Sequence, residues 1–397
     1  MKRSRIALVT HGLQGFGGVS RWTEFLYRAF QGSDRFDVEV VSIATSSRDG
    51  SSCRILKPSS WWRSPSVIQG SFHGMPFRHV GARWVELEFQ RYRTREVLTQ
   101  ILAEYDLLQF VLGFASWGCV ADGLNRPIVL QIGTTAWPDR RSRVRASPLP
   151  RRAWLTAMGW IAERYERRAL AAADWVIVPS EYTMAAVRAW TRPGRTQLGF
   201  CGVDTDRFRP RKGVVRDGIL TVGRFTDPRK NLALLFRACS LLPGDLKPKL
   251  RVVGEAPSYL GALAVELGID AQVEFMGQVD DDRLSKLYAS SALFALSSDE
   301  EGLAVVIQEA MASGLPVIST DCGGPRTIVR EGVTGRLTSV GDAEALARAI
   351  QSTLENPEQM REMGSAARAF AEEHFALQRA AHIFASVWEE RLAVERS

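Results

Sequence analysis

The sequence predicts an α/β protein built from two doubly wound, mostly parallel sheets in tandem, and three observations carry that expectation. The chain has 397 residues, beyond the ~250–300 at which a single hydrophobic core stops growing. Short apolar runs of strand length alternate with helical patterns along most of it, as parallel strands joined by crossover helices require. The alternation pauses once, at the polar stretch 204–217 with Pro210-Arg211-Lys212-Gly213, and then resumes, which marks a linker.

In the first series, residues 6–10 form an apolar run that leads into the glycine-rich loop Gly12-Leu13-Gln14-Gly15-Phe16-Gly17-Gly18. A helix is predicted from Ser20, with Trp22, Phe25, Leu26 and Ala29 on one face, and a strand over 38–43. Runs at 107–112, 128–132 and 175–178 supply further strands, and the arginine-rich stretch 162–173 is helical in pattern. Residues 140–152 carry six arginines and two prolines and read as an exposed loop. Glu86 and Glu88, ahead of Arg91, Arg93 and Arg95, read as a solvated ion-pair surface. The second series has strands over 219–222, 250–253, 273–275, 293–295 and 316–319. Beyond Asp342 the chain reads as helical, and its last helix, around 383–392, is expected to cross back to the first domain. The expected partition is a first domain 1–203, a linker 204–217, a second domain 218–380 and a returning helix 381–397.

Composition narrows the class. With 45% apolar and 24% charged residues and a mean hydropathy of -0.10, disordered and fibrous classes are excluded. No apolar run approaches the ~18–20 residues of a membrane span. The basic N-terminus is followed by only residues 6–9 as an apolar stretch, short of the ~7–15 of a leader peptide. Five cysteines lie far apart with no Cys-x-x-Cys pair, so a reducing cytoplasm is expected. The net charge of +7 is uneven: residues 1–200 hold 28 Lys and Arg against 16 Asp and Glu, a net of +12, and ten of the eleven tryptophans. Basic charge with aromatics suits an anionic or lipid-borne partner. Peripheral contact with an anionic membrane at the inner face is therefore expected of the first domain, with Arg140, Arg141, Arg143, Arg145, Arg151 and Arg152 as its cluster. No nucleic-acid partner is expected.

The chemistry-bearing motifs lie mostly in the second series. Leu220-Thr221-Val222-Gly223-Arg224 ends a strand and leads through Lys230 into a helix, so two cations converge near a helix N-terminus, as a diphosphate requires. In Ser297-Ser298-Asp299-Glu300-Glu301-Gly302-Leu303, Glu301 precedes a helix in which Glu309 lies about two turns deep. Two carboxylates so placed are able to accept hydrogen bonds from the hydroxyls of one elongated ligand. Asp280-Asp281-Asp282 precedes a helical stretch and reads as capping rather than as a metal site.

Joined with Gly17-Gly18, Gly202-Val203-Asp204 with Phe208, Val253-Gly254-Glu255, Phe275-Met276-Gly277, Glu309-Ala310-Met311-Ala312 with Gly314 and Pro316, and Gly323-Gly324-Pro325, these motifs resemble retaining glycosyltransferases of the family-4 type (glycosyl transferases group 1). The match is dense over 199–340 and sparse before it. The resemblance implies the GT-B architecture, two Rossmann-like domains facing a cleft. It implies a bacterial enzyme of polysaccharide or glycoconjugate biosynthesis, metal-independent and without cofactor. Its donor would be a nucleotide-diphosphate sugar and its acceptor a saccharide, a lipid-linked glycan or a small molecule, with retention of anomeric configuration. Catalytic roles are implied for Glu301, Arg224 and Lys230, with Arg224 and Lys230 neutralising the diphosphate and Glu301 holding the transferred sugar. Glu309 would hold the ribose, the region around Gly277 the base, and Gly17, Gly18, Gly254, Gly302 and Leu303 would line the donor. On this reading Glu301 has little effect on the affinity for bare nucleotide. The histidine that many members carry at the acceptor face is absent, and His11, Gln131, Thr134 or Thr135 stand as candidates there, or the donor phosphate takes the proton itself. Two rivals remain. One is a catalytically inactive sugar-binding protein. The other is an NAD(P)-dependent oxidoreductase, disfavoured because Gly12 to Gly18 lacks the Gly-x-Gly-x-x-Gly spacing and residues 38–42 end in no acidic residue.

Overall fold

The computed structural model describes residues 3–13, 17–145 and 147–396. Gln14, Gly15 and Phe16 of the first glycine-rich loop, Met1 and Lys2 of the basic N-terminus, and Ala146 lie outside the described residues. The chain divides into two compact units, Met1–Gly202 with Ala380–Ser397, and Val203–Arg379.

The first unit holds β1 (Ser4–His11), α1 (Gly18–Phe30), β2 (Phe36–Ile43), β3 (Val67–Phe72), β4 (Met75–Val80), α2 (Glu88–Arg91), α3 (Glu96–Leu102), β5 (Leu107–Leu112), β6 (Ile128–Ile132), α4 (Ala136–Arg145), α5 (Leu149–Ala172), β7 (Trp175–Val178), α6 (Glu181–Val187) and β8 (Thr196–Leu198). Its sheet runs β3-β4-β2-β1-β5-β6-β7-β8, parallel except for the antiparallel pair of β3 with β4. β1 and β5 are covered on both faces, which is why they read as unbroken apolar runs. Chain order reverses between β1 and β5, so their carboxyl ends frame the crevice of a doubly wound sheet.

Two readings are corrected here. The stretch 140–152 is mostly exposed but is not a loop: residues 140–145 end α4 and residues 149–152 open α5. Pro148 and Pro150 sit at the start of α5, where a missing N–H leaves no intrahelical bond unmade. Arg140 is buried and paired with Glu88, so it leaves the expected anionic-surface cluster. Glu88 is accordingly no solvated surface group, and Glu86 accepts the Ile55 N–H at 2.9 Å. The β3–β4 hairpin, absent from the expectation, turns through His73 (φ 48°) and Gly74 (φ 78°), two positive-φ residues that match the twist of a tight hairpin.

The last helix, α14 (Leu377–Arg396), contributes Trp388 to the first unit's core. Its ring lies 4.4 Å from Phe30 and 5.2 Å from Phe36, and its indole N–H donates to Gln109 Oε1 at 2.8 Å. The buried indole N–H is satisfied by that polar partner.

The second unit holds β9 (Asp217–Val222), α7 (Leu232–Ser240), β10 (Leu250–Val253), α8 (Tyr259–Glu266), β11 (Val273–Gly277), α9 (Asp281–Ser290), β12 (Ser291–Leu296), α10 (Val305–Ala312), β13 (Val317–Thr320), α11 (Pro325–Ile328), β14 (Gly335–Thr338), α12 (Ala343–Leu354) and α13 (Pro357–His374). The order β11-β10-β9-β12-β13-β14, all parallel, is the doubly wound order. Its reversal falls between β9 and β12, and ligands of such sheets bind at the carboxyl ends there. The polar stretch after Val203 is anchored: Asp204 Oδ1 accepts from the N–H groups of Asp206 and Arg207, and Phe208 is buried against Tyr288.

Candidate active site

The reversal in the second unit brings together the loops after β9 and β12. Gly223 N–H donates to Val253 O at 3.0 Å and Gly254 N–H to Gly277 O at 2.8 Å, so the ends of β9, β10 and β11 are laced through three glycines. Gly254 has φ 120°, and a Cβ there would lie 1.9 Å from the Gly223 carbonyl oxygen, so only glycine fits.

From Gly223 the chain enters Arg224, whose side chain is 60% exposed with Nη2 3.6 Å from Asp227 Oδ2. Asp227 caps the following 3-10 turn by accepting the Arg229 N–H. Burial acts to raise its carboxyl, but the hydrogen bonds and charge of Arg229 prevail and hold it at about 2. Asn231 takes a left-handed conformation (φ 38°), caps α7 through its side chain and donates to Asp299 Oδ1 at 2.7 Å. Asp299 N–H donates to Arg229 O at 2.7 Å, and Ser297 Oγ to Asn231 O at 3.0 Å. The loop after β12 is thus tied to the loop after β9, and Lys230 Nζ donates to Glu301 Oε1 at 2.6 Å. Ser298 Oγ donates to the same oxygen at 2.7 Å.

Glu301 is held by its backbone as well: its N–H donates to Cys322 O, and its carbonyl accepts from Gly324 N–H at 2.8 Å. A Cβ on Gly324 would lie 2.3 Å from Gly302 O, so this close crossing needs glycine. Gly302 and Leu303 follow, half-buried at the mouth of α10. Glu309 is buried and accepts from the Tyr288 hydroxyl at 3.1 Å. It is the fifth residue of α10, little more than one turn deep rather than two, because the helix starts only at Val305. Asp280 caps α9 by accepting the Arg283 N–H at 2.7 Å, and Asp281 pairs with Arg207.

The remaining candidates lie in the first unit. Gly17 and Gly18 open α1, where Ser20 Oγ accepts the Gly17 N–H at 3.1 Å. His11 ends β1; its Nε2 accepts the Gly113 N–H at 3.0 Å and its ring stacks on Trp117. Burial lowers its pKa to about 4. The imidazole is therefore neutral, and its Nε2 lone pair is already engaged by a backbone donor. Thr134 and Thr135 are buried just past β6, with Thr134 N–H donating to Gly113 O at 2.9 Å. Gln131 is 1% exposed, and neither polar atom of its amide has a hydrogen-bond partner among the described residues. Sequence reasoning missed Glu166, a buried carboxylate behind these same loops, because nothing in a helical heptad distinguishes it from a solvated glutamate.

Each unit is thus a Rossmann-like doubly wound domain, and the second concentrates cations and carboxylates at its switch point. The chain shares its fold with sucrose-phosphate synthase from Thermosynechococcus elongatus (TM-score 0.75, 23% identity, 99% of this chain and 100% of that one). It also shares it with the Anabaena protein HepE solved with UDP (TM-score 0.72, 20% identity, 97% and 100%). This is the GT-B fold. Residues 16–207 match Glycosyltransferase Family 4 and residues 203–370 match Glycosyl transferases group 1, and the chain belongs to the family-4-type GT-B glycosyltransferases. Among curated relatives, an MMP alpha-(1->4)-mannosyltransferase from Mycolicibacterium hassiacum is 31% identical over 48% of this chain and 47% of its own length. A lipopolysaccharide core biosynthesis glycosyltransferase from Rhizobium meliloti is 36% identical over 41% and 48%. The chain spans about half the length of the curated relatives it matches.

Proposed function

We propose that this protein transfers a sugar from a nucleotide-diphosphate donor to a hydroxyl of a glycan, lipid-linked or small-molecule acceptor, with retention of configuration. The observation that carries the reading is the Lys230–Glu301 contact at the switch point of the second unit, with Arg224 on the adjoining loop. A cation for a diphosphate and a carboxylate for sugar hydroxyls stand side by side, as a diphosphate-linked sugar presents them. Glu309 is assigned to the ribose and the open backbone at Gly277 to the base. As the bond from the anomeric carbon to the phosphate oxygen breaks, charge grows on the leaving diphosphate, and Arg224 and Lys230 stabilise it. The acceptor oxygen bonds to the anomeric carbon and its proton passes to the leaving phosphate oxygen. His11 is a poor base for that proton, since Gly113 occupies its Nε2 and burial lowers its basicity.

The donor charges are met by side chains, so a divalent metal is not required on this reading. UDP-glucose is the first donor to test, because HepE is solved with UDP and with UDP-glucose. Product anomers are followed by NMR with purified acceptor extracts and excess chelator. Turnover with an α-linked product and no response to Mg²⁺ or Mn²⁺ is expected. An inverted product, or activity abolished by chelator and restored by metal, would overturn the mechanism, and absence of turnover with every nucleotide sugar would favour the inactive binder.

On the acceptor side we assign the first unit's carboxyl edge to an anionic, lipid-bearing surface. In the segment after β2, Trp62 is 93% exposed beside exposed Leu56 and Trp61, with Lys57 and Arg63 flanking. On α5, Trp160 is 65% exposed and shares a groove with Arg164, Arg167 and Arg168, of which Arg167 is paired with Glu163 in the same groove and Arg168 with Asp122. Among the described residues no helix is long and apolar enough to cross a membrane, so such contact would be peripheral. Basic residues contribute about 1 kcal/mol each near an anionic leaflet and are screened by salt. Co-sedimentation with anionic vesicles at low salt is expected, weakened by high salt and by Trp61→Ala with Trp62→Ala. Equal, negligible binding to anionic and neutral vesicles at low salt would leave a soluble acceptor instead.

A further inference from the structure

We propose that Glu166 is a positioning residue that clamps together the two turns following β5 and β6, and with them the first unit's acceptor-side edge. Glu166 lies in the middle of α5 and is 1% exposed. Its Oε1 accepts the Ala115 N–H at 3.2 Å and the Ala136 N–H at 3.2 Å, and its Oε2 accepts the Ala136 N–H at 3.0 Å. Ala115 opens the 3-10 segment Ala115–Ala121, and Ala136 opens α4. Both amides belong to first turns, whose N–H groups have no acceptor within their own helix. One carboxylate therefore closes two helical starts from different crossover connections.

What hangs on those starts is the set of residues facing the acceptor. Ala115 is followed within two residues by Trp117, which stacks on His11, and preceded by Gly113, which donates to His11. Ala136 follows directly on Thr134 and Thr135. The helix that carries Glu166 is itself fixed to the same segment by Ser116 Oγ donating to Ala162 O at 2.7 Å and by the Cys119 thiol donating to Tyr165 O at 3.2 Å. The clamp thus has a rigid back, and a change at the carboxylate is felt at the two turns rather than in α5.

The charges around the group make it a poor choice for stability alone. Arg140 on α4 attracts it, Glu163 on its own helix repels it, and the segment 115–121 offers no charged side chain, only the Cys119 thiol. Burial dominates and raises the carboxyl to about 7. A carboxyl raised in the fold above its unfolded value binds its proton more tightly in the native state. Stability is therefore lost as pH rises from the ordinary carboxylate range through about 7. The bonds from the Ala136 and Ala115 amides act to lower the proton affinity but do not overcome burial, so ionisation weakens the closed clamp.

The proposal rests on the acceptor-side reading only for what the edge does, so it is tested on the ligand-free protein. Amide hydrogen exchange is followed by mass spectrometry in peptides covering 113–121 and 133–140, at about pH 6 and about pH 8, with rates corrected for the intrinsic pH dependence. In the wild type, protection of these two peptides should be several-fold lower at the upper pH, because opening the turns returns the carboxyl to its ordinary range while the closed form binds the proton more tightly. Glu166→Gln should abolish that difference in both peptides together. Absence of the difference in the wild type, or its persistence in Glu166→Gln, would overturn the clamp. If the variant does not fold, the wild-type comparison decides alone. Failure of sugar transfer in any assay leaves this result unaffected, and the reverse holds as well.

Discussion

Lys230→Ala should lower turnover about 10²–10³-fold, the cost of removing one preorganised charge from a developing anion, and should weaken binding of bare UDP. The contact seen here adds a second, less obvious outcome. Lys230 Nζ and Glu301 Oε1 are 2.6 Å apart with both side chains mostly buried, so in the ligand-free protein each charge is compensated by the other. Removing Lys230 leaves the Glu301 carboxylate facing the diphosphate. Removing Glu301 frees the ammonium for phosphate. Glu301→Ala should therefore bind bare UDP about three- to tenfold more tightly than wild type while turnover falls, in contrast to the neutral effect expected from sequence. The effect of the double variant on UDP binding should differ from the sum of the two single effects, a non-additivity that residues in contact produce. Calorimetry with UDP on the four proteins tests this cycle. Additive effects, or weaker UDP binding in Glu301→Ala, would mean that the pair does not compete with phosphate. Arg224, largely exposed and 3.6 Å from its nearest carboxylate oxygen, should show a smaller loss than Lys230.

The second large effect is expected at Gly254. Alanine there must accept φ 120° and place its Cβ 1.9 Å from the Gly223 carbonyl oxygen, an overlap with backbone that no rotamer relieves. Either the end of β10 or the loop carrying Arg224 has to move. We expect a loss of about 2–4 kcal/mol in the stability of the second unit, within the range for strained backbone substitutions, together with loss of UDP affinity. Gly268→Ala is the control: its φ is 68°, but no atom lies within 4 Å of the added Cβ. It should cost only the ~1–2 kcal/mol of a left-handed alanine. Thermal unfolding with and without UDP separates the two. Wild-type stability and UDP affinity in Gly254→Ala would refute the close-approach argument.

The elements most legible in the sequence are those buried on both faces. Leu107–Leu112, Ile128–Ile132, Trp175–Val178 and Leu250–Val253 are strands at the expected residues, because a strand between two helical layers must be apolar throughout. The hairpin 67–80 escaped notice because β3 is largely exposed and shows no buried face. The helices over 136–172 were obscured by arginines and prolines whose helical fit depends on where the first turn falls.

Sequence alone carried the two-series architecture, the family, and the identity of Arg224, Lys230, Glu301 and Glu309 as site candidates, since local periodicity and motif spacing are properties of neighbouring residues. Only the tertiary structure decided who touches whom. Lys230 and Glu301 are 71 positions apart, and they meet because β9 and β12 are adjacent at the point where strand order reverses. Glu166 reaches amides 51 and 30 positions away because α5 packs behind both crossover turns. Arg140 is buried for a similar reason, since Glu88, 52 positions away, neutralises it. Burial, charge compensation and shifted proton affinity depend on distances through space, and those are set by strand order and helix packing, which the spacing of residues along the chain does not contain.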